Sequence, residues 1–419
     1  MAEFIPQASC ADAHEPNSLS VAEARQRIKN LISPISVWEK RSLRDALGFI
    51  LDQAIISPIN VPPHTNSAMD GYAIHGADLT GSSITLKQVG IAFAGQPFIG
   101  KIQSGECIRI MTGAMMPTDC DTVIMQEHVE VDNSSIIVHG MHTLGQNVRS
   151  AGEDLQQGEV VLTQGHNIMP ADLGLIASLG ISEVTVKRKL RIAFFSTGDE
   201  LRSIGEVLEE GQIYDSNRYT LYGMLKRLDV EILDLGVIPD NKEALRQALQ
   251  LASQQADVVI TSGGVSVGDA DYVKEMLTEL GQVDFWKIAM KPGRPLAFGK
   301  INDSVFFGLP GNPVSVMVTF YQFVTGALQQ LSGLPEQEQL LIQVNCISNI
   351  RKRAGRFEFQ RGILFQDENG ITQVKTTGEQ GSGILRSMSI ANCFILLEEQ
   401  CDGIKPNTIV TVQPFSGLI

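Results

Sequence analysis

The chain has 419 residues, 43% hydrophobic and 19% charged, with a formal net charge of −14. Such a balance describes an ordinary soluble globular protein of roughly two to four domains, and it excludes the basic face that a nucleic-acid partner requires. No apolar run approaches the ~20 residues of a bilayer span, so the reading includes no membrane partner.

Met1 to Asn17 is polar, lacks the basic and apolar regions of a signal peptide, and reads as a frayed terminus. Six cysteines with no C-x-x-C pair point to a reducing cytoplasm rather than a disulfide framework. Ser20 to Ile32 predicts a helix, with Ser20 and Glu23 as a capping box and Val21, Ala24, Ile28, Leu31 and Ile32 on one face. Pro34 stops it. A short helix over Ser42 to Leu47 and a strand over Phe49 to Ile56 follow.

From Pro58 the pattern changes to short β-type runs between turn residues: Ile84–Val89, Cys107–Met111, Val123–Gln126 and Ile136–Val138. Within this region Asn66 to Ala73 has no apolar period and reads as a loop, either functional or an ordinary Asp70-Gly71 turn. His139 and His142 lie three apart beside Gly140 with no third ligand near, which argues against zinc. Met169 to Leu179 predicts a helix capped by Gly180.

Leu190 onward alternates strand and helix: strand Leu190–Phe195, helix Asp215–Leu228, strand Glu231–Leu235, helix Lys242–Gln254 and strand Asp257–Thr261. This is the pattern of a parallel sheet flanked by helices. The third strand runs into Ser262-Gly263-Gly264, and a further run, Val305 to Phe307, ends in Gly308-Leu309-Pro310-Gly311-Asn312-Pro313 before a long apolar helix, Val314 to Leu331. After Gly333 to Glu338 the chain turns to strands again, with Asn369-Gly370 as a hairpin turn, and predicts a small barrel-like or sandwich domain.

The fold class is therefore multidomain α/β plus β. A helical domain (19–57 and 149–188) carries an inserted β domain (58–148), followed by an α/β domain (189–332) and a C-terminal β domain (339–419), after a flexible 1–18.

Glycine-rich turns at the carboxyl ends of strands are where ligands bind in open α/β sheets, and a following helix N-terminus favours anions. Asp269 and Asp271 offer hard oxygen ligands for Mg²⁺, while Lys287, Lys291 and Arg294 offer positive charge. A phosphate-bearing ligand with a magnesium ion fits this set. Glu200, Asp240 and Asp271 follow three successive strands and can converge on a cation, or Glu200 and Asp240 simply cap helices. Lys287, Lys291 and Arg294 are either anion ligands or a solvated edge, and Ser315 is either an anion donor or a first-turn serine.

Four stretches, Asn66 to Ala73, Ser262 to Tyr272, Lys291 to Pro295 and Pro310 to Ser315, resemble in order the molybdopterin molybdenumtransferase family, which includes bacterial MoeA and the gephyrin E domain. The resemblance runs from about Leu19 to the C-terminus. It implies Mg²⁺-dependent insertion of molybdate into the dithiolene of adenylylated molybdopterin, with release of AMP. Carried onto this chain, it implies Asp70, Thr112, Lys287 and Lys291 as catalytic residues and Glu200 and Asp271 as metal ligands. Ser262, Gly263, Gly264, Ser266, Asp240, Arg294, Pro310, Gly311, Asn312, Pro313 and Ser315 would bind substrate. It also implies a homodimer whose β domain closes over the partner's α/β domain, with a molybdopterin adenylyltransferase and molybdoenzyme-specific chaperones as further partners. Two departures stand out: His64-Thr65 where many relatives have Phe and Asp, and Arg294 where others have Lys. An adenylyltransferase is the nearest alternative, but its Thr-Gly after the paired glycines is Val265-Ser266 here. A receptor scaffold would come with a long linker and a fused second domain, which this sequence does not resemble.

Overall fold

The computed structural model describes residues 18–81, 83–264, 272–336 and 338–419. Tertiary contacts divide the chain into two compact units, Lys40–Val186 and a unit combining the residues up to Glu39 with Lys187–Ile419. The larger unit opens with α1 (Val21–Leu31), whose capping box is formed: Ser20 Oγ accepts from the Glu23 N–H at 3.2 Å, and Glu23 accepts from the Ser20 N–H at 2.8 Å. Its inner face, Val21, Ala24 and Ile28, is buried.

The Lys40–Val186 unit contains a six-stranded sheet of β1 (Gly71–Ile74), β2 (Ser83–Ala92), β3 (Glu106–Ile110), β4 (Thr122–Met125), β5 (Val129–Asp132) and β6 (Ser135–His139), in the order β4-β1-β3-β2-β6-β5. Alternation puts Ala73, Ile108 and Val123 in one core and Tyr72, Ile74, Cys107 and Ile124 in the other. A separate core joins Ala46, Phe49, Leu51 and Val186 to α2 (Pro170–Ser178).

Three expectations need correction here. The helix expected over Ser42 to Leu47 is a single 3₁₀ turn, Leu43–Ala46. Phe49 to Ile56 is not a continuous strand: Ile50 and Leu51 make isolated bridges, and only Ile55–Ile56 joins a ladder. These apolar residues anchor a core without a continuous partner strand, so the composition reads as a strand where the ladder is broken. Nor is Asn66 to Ala73 one loop. Asn66–Ser67 pairs with Val148–Arg149, and Tyr72 and Ala73 sit buried in β1, flanked by β3 and β4.

In the larger unit a second six-stranded sheet comprises β7 (Arg191–Thr197), β8 (Glu231–Ile238), β9 (Val258–Ser262), β10 (Gly281–Lys287), β12 (Pro295–Ile301) and β13 (Ser304–Leu309), in the order β8-β7-β9-β13-β12-β10. The intervening β11 (Met290–Lys291) belongs to the C-terminal sheet. β7 pairs in parallel with β8 and β9, and β9 with β13. Strands β9 and β13 are buried along their whole length, as expected of strands covered on both faces. Ile192, Phe194 and Ile260 enter one core, and Ala193, Phe195 and Val259 the other. The helices are α3 (Ser216–Arg227), α4 (Lys242–Gln255) and α5 (Tyr272–Leu280).

The antiparallel neighbours β10 and β12 were not expected. Gly281 and Gly299 hide them in the sequence, yet both are required, because a Cβ at either would collide with the facing strand's backbone. The long apolar helix is present as three contiguous pieces: α6 (Pro313–Thr319), a π-helical turn (Phe320–Val324) and α7 (Thr325–Ser332).

The C-terminal strands β14 (Ile342–Cys346), β15 (Phe357–Gln366), β16 (Thr372–Thr376), β17 (Cys393–Leu397) and β18 (Thr408–Pro414) close into a small barrel, because β15 pairs with both β16 and β17. The β15–β16 hairpin closes through Asp367 to Ile371, with Gly370 at φ +78°, so the connection is longer than a two-residue Asn-Gly turn. Strand β11 adds to the barrel in parallel with β15, pairing Lys291 with Glu358.

Candidate active site

From β7 the chain crosses to β8 on one side and then to β9 on the other, which creates a crevice at the carboxyl ends of β7 and β9. A cavity of about 1030 Å³ lies there. Its α/β wall consists of the turns after β7, β8, β9 and β13, with Glu200, Asp240, Ser262, Gly263 and Gly264, then Pro310, Gly311, Asn312, Pro313 and Ser315. Lys291 and Arg294 flank it.

The glycines are there for steric reasons. Gly263 has φ +93°, and a Cβ on it would lie 2.6 Å from the Thr197 carbonyl oxygen. Gly198 is held at φ +151°, a conformation that side-chain-bearing residues rarely adopt, beside the Glu200 carboxylate. Asp240 is tied into the wall: its Oδ1 accepts from Thr197 Oγ1 at 3.2 Å, and its N–H donates to Asp199 Oδ1 at 3.1 Å. Asn217 joins two of the turns, its Nδ2 donating to Ser262 Oγ at 2.9 Å and to the Gly311 carbonyl at 2.7 Å.

Not every expected residue is gathered. Lys287, at the end of β10, is outside the cavity lining. Ser266, Asp269 and Asp271 fall outside the described residues. Asp70 and Thr112 belong to the Lys40–Val186 unit, where they hold each other: Asp70 Oδ1 accepts from the Thr112 hydroxyl at 2.6 Å and from its N–H at 2.7 Å. Those two bonds, the hydroxyl's first, hold the Asp70 carboxyl below the usual aspartate range.

The opposite wall comes from the C-terminal barrel and its loops, and sequence reasoning missed it. Asn349, Arg351, Arg356, Gln360, Gln380 and Ser382 line the same cavity. A signal existed: Arg351-Lys352-Arg353 and Arg356 cluster in an otherwise acidic chain. Behind this wall Arg361 is fully buried, donating to Ser387 Oγ at 3.1 Å and to the Gly381 carbonyl at 3.1 Å, and burial pushes its guanidinium down to about 10. Lys291 Nζ lies 3.7 Å from Oε1 of the buried Glu358, whose Oε2 accepts from Gln360 Nε2 at 2.6 Å. Within the lining, the carboxylates Glu200, Asp215 and Asp240 come from the α/β turns, while Arg351 and Arg356 come from the barrel side.

Two other chemistries find no support. Burial pushes the Cys107, Cys120 and Cys393 thiols up to about 12, too high for a nucleophile at neutral pH. A second cavity of about 640 Å³ gathers His128, His139 and His142, but among the described residues no three His, Cys, Asp or Glu side chains are placed to share one metal ion.

Comparison with known proteins gives matches along nearly the whole chain. Three family profiles cover it: MoeA N-terminal region (domain I and II) at residues 19–180, probable molybdopterin binding domain at 193–330, and MoeA C-terminal region (domain IV) at 343–415. The molybdopterin molybdenumtransferase of Haemophilus influenzae is 44% identical over 403 residues, 96% of this chain and 100% of the relative. The chain belongs to the MoeA family of molybdopterin molybdenumtransferases. The Nostoc member is 33% identical over 90% of this chain and 89% of its own. A MoeA crystal structure from Pyrococcus horikoshii aligns with a TM-score of 0.82 at 30% identity, covering 95% of this chain and all of the other. Among the described residues, no helix is long and apolar enough to cross a membrane.

Proposed function

We propose that this chain inserts molybdate into the dithiolene of adenylylated molybdopterin, releasing AMP, in a Mg²⁺-dependent reaction. The observation that carries the reading is the full-length similarity to the Haemophilus molybdenumtransferase, and the cavity supplies the matching chemistry. The close-approach glycines of the Ser262 turn, Gly263 and Gly264, suit phosphate oxygens, which approach backbone N–H groups. Lys291, Arg294, Arg351 and Arg356 give a doubly charged oxyanion several donors. Glu200 and Asp240 offer hard oxygens, and Mg²⁺ commonly takes one or two carboxylates together with substrate phosphates and water, so no all-protein cage is required. Bound there, Mg²⁺ would neutralise charge on the bridging phosphates; Asp271 is the further candidate ligand.

The same reading takes the active form to be a cytoplasmic homodimer in which Asp70 and Thr112 of one subunit complete the cavity of the other. An adenylyltransferase supplies the substrate, and molybdoenzyme chaperones receive the product. A deletion strain tests the reading in the cell: molybdoenzyme activity should disappear and return in part at high molybdate. Unimpaired molybdoenzyme activity would contradict it.

A further inference from the structure

Two residues at the start of α3 have oxygens that the established contacts leave unused. Asp215 is 2% exposed and Asn217 8%, and both line the cavity. Asn217 spends both Nδ2 hydrogens, on Ser262 Oγ and on the Gly311 carbonyl. A carbonyl can only accept, so the amide orientation is fixed and Oδ1 is an acceptor. Asp215 caps α3 through Oδ1, which accepts from the Arg218 N–H at 3.1 Å. The nearby Arg218 guanidinium is engaged with Asp234 at 2.7 Å. Among the described residues, Asp215 Oδ2 and Asn217 Oδ1 are both buried without a hydrogen-bond partner. Buried acceptors that the chain leaves unpaired favour a ligand that brings its own donors.

We propose that Asp215 and Asn217 form an acceptor-only subsite that reads the donor-rich pyrimidine edge of a pterin. This rests on the cavity being the site for adenylylated molybdopterin. The substrate's phosphates, like the co-substrate molybdate, offer only acceptors and are repelled by a carboxylate; its ribose hydroxyls can donate, and probes that carry no ribose separate them from the pterin edge. Adenine presents one exocyclic amine flanked by ring acceptors. The pterin 2-amino group and its neighbouring N3–H present adjacent donors, which a carboxylate matches. Asn217 also ties the Ser262 turn to Gly311, so the subsite places the pterin end against the turn assigned to the phosphates.

The test uses the full-length protein and two fluorescent probes, pterin and lumazine, which carries a carbonyl oxygen where pterin has the 2-amino group. Wild type should bind pterin at least about tenfold tighter, since a site built for a donor rejects an analogue lacking it. Asp215→Asn keeps a good N-cap yet can turn an N–H toward a carbonyl, so its preference should shrink or invert. Equal affinities in wild type, no binding of either probe, or an unchanged preference in the variant would overturn the subsite and leave these oxygens to ordered water. Molybdate-dependent AMP release, measured on the same preparation, separates the two readings. Release without pterin preference removes the subsite alone, whereas pterin preference without release removes the transferase reading alone.

Discussion

Replacing Lys291 by alanine separates anion capture from packing. In the structure its ammonium lies 3.7 Å from Glu358 Oε1, beyond hydrogen-bond length, with the lysine side chain 49% exposed and the glutamate 7%. Such a loose, half-exposed pair contributes about 1 kcal/mol or less to stability. A charge-assisted hydrogen bond from the same ammonium to bound oxyanion is worth about 1.5–3 kcal/mol. At 1.4 kcal/mol per tenfold, that corresponds to a roughly 10- to 100-fold rise in the molybdate concentration giving half-maximal turnover. Lys291→Ala should show this rise in steady-state AMP release, with a small loss in denaturant unfolding. Glu358 keeps the charges of Arg361 and Lys352 near it when Lys291 is removed, which holds that loss of stability small. An unchanged molybdate requirement in Lys291→Ala would return this lysine to a solvated edge.

If Asp271 and Glu200 hold Mg²⁺, Asp271→Asn should abolish most Mg²⁺-dependent turnover with the fold intact by circular dichroism; a normal Mg²⁺ titration would move the metal elsewhere. For the shared site, Asp70→Ala and Asp271→Ala should each be inactive as homodimers, while a co-purified mixed dimer recovers part of wild-type activity. An inactive mixed dimer would show that the site lies within one chain. Because its folded carboxyl is held low, the Asp70–Thr112 contact contributes stability above the ordinary aspartate range and loses it as pH falls through the lowered value. Thr112→Val keeps the N–H but not the hydroxyl, so an NMR titration should show Asp70 moving up; no movement would refute the assigned cause.

Much of the α/β layer was legible because its central strands are buried on both faces and so read as continuous apolar runs that end in glycine turns. Strand β9 and the turn Ser262 to Gly264 are the clearest case. Elements whose strand character depends on a neighbour were not legible. Strands β10 and β12 carry Gly281 and Gly299, which read as breakers and work as close-approach positions. The loop reading of Asn66 to Ala73 failed similarly, since β1 is fixed by β3 and β4, far along the chain. The barrel wall of the cavity is a long-range effect as well: Lys291 meets Glu358 through a β11–β15 pairing that neither segment signals locally. The fixed orientation of Asn217 appears only when Ser262 and Gly311 come together.

The most direct test of the central claim incubates purified protein with adenylylated molybdopterin, Mg²⁺ and molybdate and measures AMP. AMP release should depend on molybdate and be accompanied by formation of molybdenum cofactor. AMP release unaffected by molybdate, or none at all, would contradict it.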